Sequence, residues 1–251
     1  MSDSQGNFVW YELVTSDVVA AEAFYGKVVG WDAQAFDGSG EPYKILSMNG
    51  KGVGGLMPLP VGMSQPFWMG YVGTSDIDAA VAQWKAAGGS VHRAFDIPNV
   101  GRIALVADPH GVGFAMIQGA SDRPSEAFDQ SASGHGNWHE LHTTDWGAAF
   151  DFYAGQFGWT KGAALDMGPV GTYQLFEANG VQIGGMMNSP NFPRPMWLYY
   201  FGTENIDDAA ERVIDNGGAI LLGPSEVPGG GFIIQARDPQ GAMFALVGRR
   251  G

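Results

Sequence analysis

The sequence predicts an α+β protein assembled from four βαβββ modules, and three observations predict it. First, Trp10-Tyr11-Glu12-Leu13-Val14-Thr15-Ser16-Asp17 returns as Trp138-His139-Glu140-Leu141-His142-Thr143-Thr144-Asp145, an offset of 128. Second, a fainter repeat lies inside each copy: Thr15-Ser16-Asp17 resembles Thr74-Ser75-Asp76 at an offset of 59, and Thr143 corresponds to Thr203 at an offset of 60. Third, each stretch of about 60 residues reads as a strand, a cap, an apolar helical stripe, a glycine stop and then short strands joined by turns.

In the first module, Phe8 to Thr15 alternates and is rich in aromatic and β-branched residues, which predicts a strand. Asp17 is a suitable N-cap, Ala20, Ala21, Phe24 and Val28 follow at helical spacing, and Gly30 stands where a C′ glycine belongs. Strands are predicted near 31–36, 42–49 and 52–57, with Asn49-Gly50 as the hairpin turn. The second module repeats this with a strand over 67–74, Asp76 as cap and a stripe of Ile77, Ala80, Val81 and Trp84. Gly88 ends that helix, and strands follow near 90–96, 101–107 and 112–118. In the fourth module the stripe is Ile206, Ala209, Ala210, Val213 and Ile214. The large repeat also pairs Phe24-Tyr25 with Phe152-Tyr153, Gly30-Trp31 with Gly158-Trp159, Gly54-Gly55 with Gly184-Gly185, and Asp108-Pro109-His110-Gly111 with Asp238-Pro239-Gln240-Gly241. The expected division is a domain over 1–119, a polar linker over 120–134 and a second domain over 135–251.

Composition narrows the function. There are 251 residues, 45% of them hydrophobic, which is enough for two cores. The net charge of -13 repels phosphate backbones and anionic lipid surfaces, so nucleic acid and membrane partners are set aside. There is no cysteine, which excludes disulfides, thiol nucleophiles and cysteine metal sites. The N-terminus lacks the basic and apolar regions of a signal peptide, no apolar run reaches a membrane span, and a cytoplasmic location is expected. The glycine clusters are not phosphate loops: Gly229-Gly230-Gly231 reads as a hairpin turn, and Gly52 to Gly55 precedes no helix.

Alternation sends Val9, Tyr11 and Leu13 to the helix-facing side of the first strand and Trp10, Glu12 and Val14 to the other side. The third module places Trp138, Glu140 and His142 on that same side.

A strand ending in Asp, then Phe-Tyr seven and eight residues on, Gly-Trp, hairpins and Asp-Pro-x-Gly before a last strand resembles the vicinal oxygen chelate superfamily. That superfamily includes glyoxalase I, bleomycin-resistance proteins and extradiol dioxygenases, and the arrangement is similar to the tandem two-domain glyoxalase-like proteins of bacteria. The resemblance implies two cupped mixed-sheet domains, each made of paired βαβββ modules around a small-molecule site. It also implies a metal ligand His seven residues before the strand-end Asp (Asp17, Asp145 and Asp76, with Asn205 in its place in the fourth module), and a Glu seven residues after the Asp of Asp-Pro-x-Gly. The first positions hold Trp10, Trp138, Met69 and Leu198, and the second hold Ala115 and Ala245. The family's usual metal set is therefore not expected here, and function has to be read from the site's own chemistry.

The polar residues left on the cup side are Glu12, Glu140 and His142, with Tyr71 and Tyr200 in the equivalent places of modules two and four. A carboxylate among Trp10, Phe67 and Met69 is costly to ionise and suits proton transfer, so Glu12 and Glu140 are the candidate catalytic residues. Each Glu equally suits satisfying a donor inside the cup, or bonding a ligand. Trp10, Met69, Tyr71, Trp138, His142 and Tyr200 are the candidate ligand-binding residues, suited to a planar or apolar molecule, although packing is the plainer role for the aromatics. Trp68 and Trp197 fall on the helix side and are assigned to the core, and the proline-rich joins at Pro58 to Pro66 and Pro190 to Pro195 are candidate rims. Of His135, His139, Glu140 and His142, at most two converge, short of the three or four ligands that zinc needs.

The expectation is a protein that binds or modifies a small molecule without a cofactor. Sequestration is one version, and lyase, isomerase or hydroxylase-like activity is the other. The alternatives are a metal-dependent lyase or dioxygenase with an atypical site at Glu140 and His142, and a purely structural role. Monomer and homodimer are both compatible with the sequence.

Overall fold

The computed structural model describes residues 4–40, 42–121, 123–190, 192 and 194–251. Within the predicted linker and the second rim, Asp122, Asn191 and Pro193 lie outside the described residues.

All four modules have the βαβββ order. The first comprises β1 (Phe8–Thr15), α1 (Val18–Val28), β2 (Asp32–Ala35), β3 (Lys44–Met48) and β4 (Lys51–Pro58). The second is β5 (Phe67–Gly73), α2 (Ile77–Ala86), β6 (Ser90–Ile97), β7 (Gly101–Ala107) and β8 (Gly113–Gly119). The third is β9 (Gly136–Thr143), α3 (Trp146–Phe157), β10 (Thr160–Asp166), β11 (Thr172–Ala178) and β12 (Val181–Asn188). The fourth is β13 (Met196–Asn205), α4 (Ile206–Asp215), β14 (Ala219–Val227), β15 (Gly231–Arg237) and β16 (Met243–Arg249). Short 3-10 turns at Asp37–Ser39 and Gly168–Val170 were not anticipated from the sequence.

The helices start where the side chains dictate. Asp17, Asp76 and Asp145 each accept a hydrogen bond from the backbone N–H three residues on, and Asn205 caps α4 in the same way. Gly30 and Gly158 have φ of 92° and 72°, a conformation that a side chain disfavours.

The strands form two eight-stranded mixed sheets, in the orders β2-β3-β4-β1-β5-β8-β7-β6 and β10-β11-β12-β9-β13-β16-β15-β14. In each module the opening strand runs parallel to the last one, and the hairpins are antiparallel. Packing groups the chain differently, into one compact unit of Met1–Val9, Gly70–Ser125 and His139–Leu198 and another of Trp10–Met69, Glu126–Trp138 and Tyr199–Gly251.

The first unit is built on α2, α3 and an aromatic core of Phe8, Trp84, Phe114, Tyr153, Trp159, Phe176 and Trp197, all buried. His139 is fully buried in it, stacked on Phe8 at 3.8 Å, with Nδ1–H donating to the Ile183 carbonyl at 2.7 Å. The second unit has α1, α4 and a core containing Tyr11, Tyr25, Trp31, Trp68, Tyr199, Phe201 and Phe244. Trp68 and Trp197 are thus core residues, as alternation requires. Inside the predicted linker, Ala127 is buried and its carbonyl accepts from Gly136 N–H at 2.8 Å.

The repeat motifs close on one another inside these units. Trp68 Nε1–H donates to Tyr25 at 2.9 Å, and Tyr25 O–H donates to Asp238 at 3.1 Å. The same relay in the first unit runs from Trp197 to Tyr153 at 3.1 Å and from Tyr153 to Asp108 at 3.0 Å. Trp31 donates to the Gly134 carbonyl and Trp159 to the Gly6 carbonyl, both at 2.7 Å. Tyr25, Tyr153 and Trp159 are thus each completed by the other sequence half, and Trp31 by the segment that joins the halves. Among the described residues, no helix is long and apolar enough to cross a membrane.

Candidate functional site

Each opening Glu sits on a strand whose parallel neighbour carries a glycine doublet. Glu12 on β1 is in register with Gly55 on β4, and Glu140 on β9 is in register with Gly185 on β12. A Cβ on Gly54 would strike the backbone carbonyl of Tyr11, so that glycine permits close approach of the strands. A Cβ on Gly55 would collide with the Tyr43 hydroxyl, and one on Gly185 with the Tyr173 ring. The second glycine of each doublet therefore clears a path for a tyrosine to cross the strand and reach the Glu.

In the second unit, the Tyr43 hydroxyl hydrogen-bonds Glu12 and accepts from Trp10 Nε1–H at 2.9 Å. Glu12 is 6% exposed. Burial pushes the Tyr43 phenol well above its ordinary range, the adjacent Glu12 charge adds to this, and the Trp10 indole opposes it. A cavity of about 440 Å³ is lined by Val18, Ala35, Phe36, Pro42, Tyr43 and Lys44.

In the first unit, Glu140 is 7% exposed and its Oε2 accepts from Tyr173 O–H at 2.9 Å. Its Oε1 lies 2.7 Å from His142 Nε2, but off the line that a ring N–H hydrogen bond requires. His142 is 3% exposed, its Nδ1 lies 2.7 Å from Ser189 Oγ, and Phe192 stacks on the imidazole at 3.7 Å and 11°. Four polar side chains thus form a continuous row from Tyr173 to Ser189.

Of the other sequence candidates, Trp10 and Trp138 are half-buried and Met69 is buried on β5. Tyr71 is buried in register with Ala115. Tyr200, in register with Ala245, accepts from Gln235 Nε2 at 2.8 Å. His135 precedes β9 and bonds the Glu126 carbonyl, and His139 is turned into the core, so neither joins Glu140 and His142. Sequence reasoning missed Tyr43, Tyr173, Ser189 and Phe192. Tyr43 and Tyr173 were findable, because they recur at the same 130-residue offset as the glycine doublets.

The residues present do not fit the family's metal set. Ala115 and Ala245 are fully buried methyl groups at the two last-strand positions. Among the described residues, no group of three or more His, Cys, Asp or Glu gathers to hold an ion. The Glu140–His142 pair offers two donors where zinc takes three or four protein ligands.

With two eight-stranded mixed sheets of this strand order and glutamates on β1 and β9, the chain belongs to the Glyoxalase/Bleomycin resistance protein/Dioxygenase superfamily, whose family model matches residues 136–246. Over 250 residues it is 31% identical to CFP32 of Mycobacterium tuberculosis, which carries a provisional glyoxylase name, covering 97% of this chain and 95% of that one. Over 131 residues it is 33% identical to the anthracycline biosynthesis protein DnrV of Streptomyces peucetius, covering 46% of this chain and 47% of that one. Among solved structures it resembles the Mn(II)-bound glyoxalase of Novosphingobium aromaticivorans, with a TM-score of 0.70, 16% identity and coverage of 99% and 83%. It also resembles the 2,3-dioxygenase LapB of Pseudomonas sp. KL28, with a TM-score of 0.70, 12% identity and coverage of 100% and 94%. At these identities the solved structures speak for the fold alone.

Proposed function

We propose that the protein holds a small planar or apolar molecule and orients or deprotonates it with its buried glutamates, without a divalent metal at the family's usual positions. The observation that carries this reading is Glu140, a nearly inaccessible carboxylate fixed by Tyr173 on one oxygen and facing His142 with the other. A carboxylate held in this way is pre-oriented to accept a proton or a ligand O–H, since its rotamer is set before the ligand arrives. Of the candidate apolar and aromatic residues, Tyr71 lies in the unit of Glu140, and Trp10, Met69, Trp138 and Tyr200 lie in the unit of Glu12. The name of the DnrV relative points to polycyclic aromatic ligands.

Two versions share this chemistry: sequestration, and a metal-free lyase, isomerase or hydroxylase-like reaction. Protein purified without chelator should carry metal far below one equivalent. It should be stabilised in thermal unfolding by members of a hydroxyanthraquinone and phenol panel, and Glu140→Gln should weaken that stabilisation. Stoichiometric nickel, zinc, iron or manganese, lost in Glu140→Ala or His142→Ala, would overturn the metal-free reading.

A further inference from the structure

The two sequence halves share a backbone but not a site. Leu59 N–H donates to the Thr15 carbonyl at 2.8 Å, and Ser189 N–H donates to the Thr143 carbonyl at 2.9 Å, so the chain leaves the sheet in the same way in both. The side chains differ. Where the first half has Val14 and Leu59, the second has His142 and Ser189, with Nδ1 and Oγ 2.7 Å apart. An apolar pair satisfies the fold at this place, so the fold does not require the buried imidazole and its hydroxyl partner. Burying polar groups costs stability even when they are paired. A pair retained where a cheaper apolar solution exists points to chemistry.

The geometry has the arrangement of an activated nucleophile: a hydroxyl within hydrogen-bond reach of a base, and the base faced by a third group. Ser189 is half-buried and reachable, while His142 and Glu140 are buried behind it. Both backbone groups of Ser189 are fixed, because its carbonyl accepts from Phe192 N–H at 3.1 Å. Phe192 clamps the imidazole from one face. Glu140 Oε1, 2.7 Å from Nε2 but out of line for a hydrogen bond, favours by its charge a proton on that nitrogen, which leaves Nδ1 to accept from Ser189 O–H.

We propose that Ser189 is a nucleophile, with His142 as its base and Glu140 orienting the base, and that it takes up the acyl group of a small ester. Ser189 Oγ bonds to the carbonyl carbon, and its proton passes to His142 Nδ1. The bond from that carbon to the leaving alkoxide breaks, and His142 returns the proton to the alkoxide. Water then repeats the sequence on the acyl-serine, releasing the carboxylic acid and regenerating the hydroxyl. Since the Ser189 N–H is already used by Thr143, it does not serve as an oxyanion donor, and slow acylation rather than fast turnover is expected. This rests on reading the Glu140 cluster as a metal-free reaction site.

The test is incubation of the full-length protein with a fluorophosphonate at neutral pH, followed by intact-mass and peptide analysis. One phosphonyl group should be found on the peptide containing Ser189. Ser189→Ala should abolish it, His142→Gln should slow it by roughly 100-fold, and Ser90→Ala, on the exposed edge of β6, should label like the parent. Absence of labelling in folded protein, or equal labelling of Ser189→Ala, overturns the proposal. If labelling fails while the aromatic panel still stabilises the protein in a Glu140-dependent way, the nucleophile falls and the metal-free binding reading stands. Failure of both removes both.

Discussion

Tyr25 on α1 donates its hydroxyl hydrogen bond to Asp238, 213 residues away in the sequence, and Tyr153 on α3 does the same to Asp108. Each tyrosine also accepts from a buried tryptophan of an opening strand. Each aspartate holds its own turn, Asp108 accepting from His110 and Val112 N–H and Asp238 from Gln240 and Ala242 N–H. The Phe-Tyr and Asp-Pro-x-Gly motifs are therefore two ends of one hydrogen-bonded device, which explains why they travel together through the repeat.

Tyr25→Phe removes the centre of that device. It strands the Trp68 indole N–H and one oxygen of Asp238 in the core, and each orphaned buried group costs about 1–3 kcal/mol. A loss of about 2–4 kcal/mol in urea unfolding is expected. In a Trp68→Phe background the same change should cost about 1 kcal/mol less, because one orphan is gone. Strict additivity of the two changes would show that the relay is not a unit.

Most of this architecture was legible in the sequence. The caps Asp17, Asp76 and Asp145, the stop at Gly30 and the strand Phe8–Thr15 are local, set by short-range hydrogen bonds and by alternation. The Glu140–His142 pair was visible because residues two apart on a strand share a face. What the sequence hid is long-range. Nothing local to Tyr25 points to Asp238, and nothing local to His142 points to Ser189 and Phe192, which meet it from far along the chain. Tyr43 and Tyr173 went unread because nothing local to the strand glycines Gly55 and Gly185 names the side chain that crosses them.

The acid response of the fold should be governed by His139 just below neutrality. Burial drives its pKa from 6.5 down to about 3, so between those values the unfolded chain binds a proton that the folded one does not. Stability must therefore rise with pH across that window, by about 1.4 kcal/mol per unit for one proton. Burial pushes Asp108 and Asp238 up from 3.8, so in the range just above 3.8 the native state holds more protons and stability falls as pH rises. Above the range in which the two aspartates ionise, the His139 contribution keeps rising with pH up to 6.5. His139→Asn, whose amide can still donate to the Ile183 carbonyl, should flatten the slope of urea stability in that upper range. An unchanged slope would mean that another group titrates there.

The glycine doublets make a contrasting pair of substitutions. Gly55→Ala collides with the Tyr43 hydroxyl and should cost about 1–3 kcal/mol, and Gly185→Ala should do the same through Tyr173. Because the obstacle is a side chain, Tyr43→Ala should make a following Gly55→Ala nearly neutral. Gly54→Ala meets the Tyr11 backbone carbonyl instead, and no trimming of Tyr43 should relieve it. Thermal unfolding of these variants separates the two mechanisms, and rescue of Gly54→Ala by Tyr43→Ala would contradict this account.

The first half also supplies the control for Ser189. Val14 and Leu59 show that an apolar pair packs at the place where His142 and Ser189 stand. Transplanting them as His142→Val with Ser189→Leu leaves Glu140 with its Tyr173 partner, the same support that Tyr43 gives Glu12. Replacing a buried polar pair with apolar residues that a homologous backbone already accepts is commonly neutral or stabilising by about 1–2 kcal/mol. The double variant should therefore unfold at the parent's temperature or a few degrees higher, while losing all reaction with fluorophosphonate. Stability and reactivity would then separate, as expected where polar side chains are kept for chemistry. If the double variant instead lost several kcal/mol, His142 and Ser189 would be holding the fold, and the comparison between the halves would no longer argue for a nucleophile.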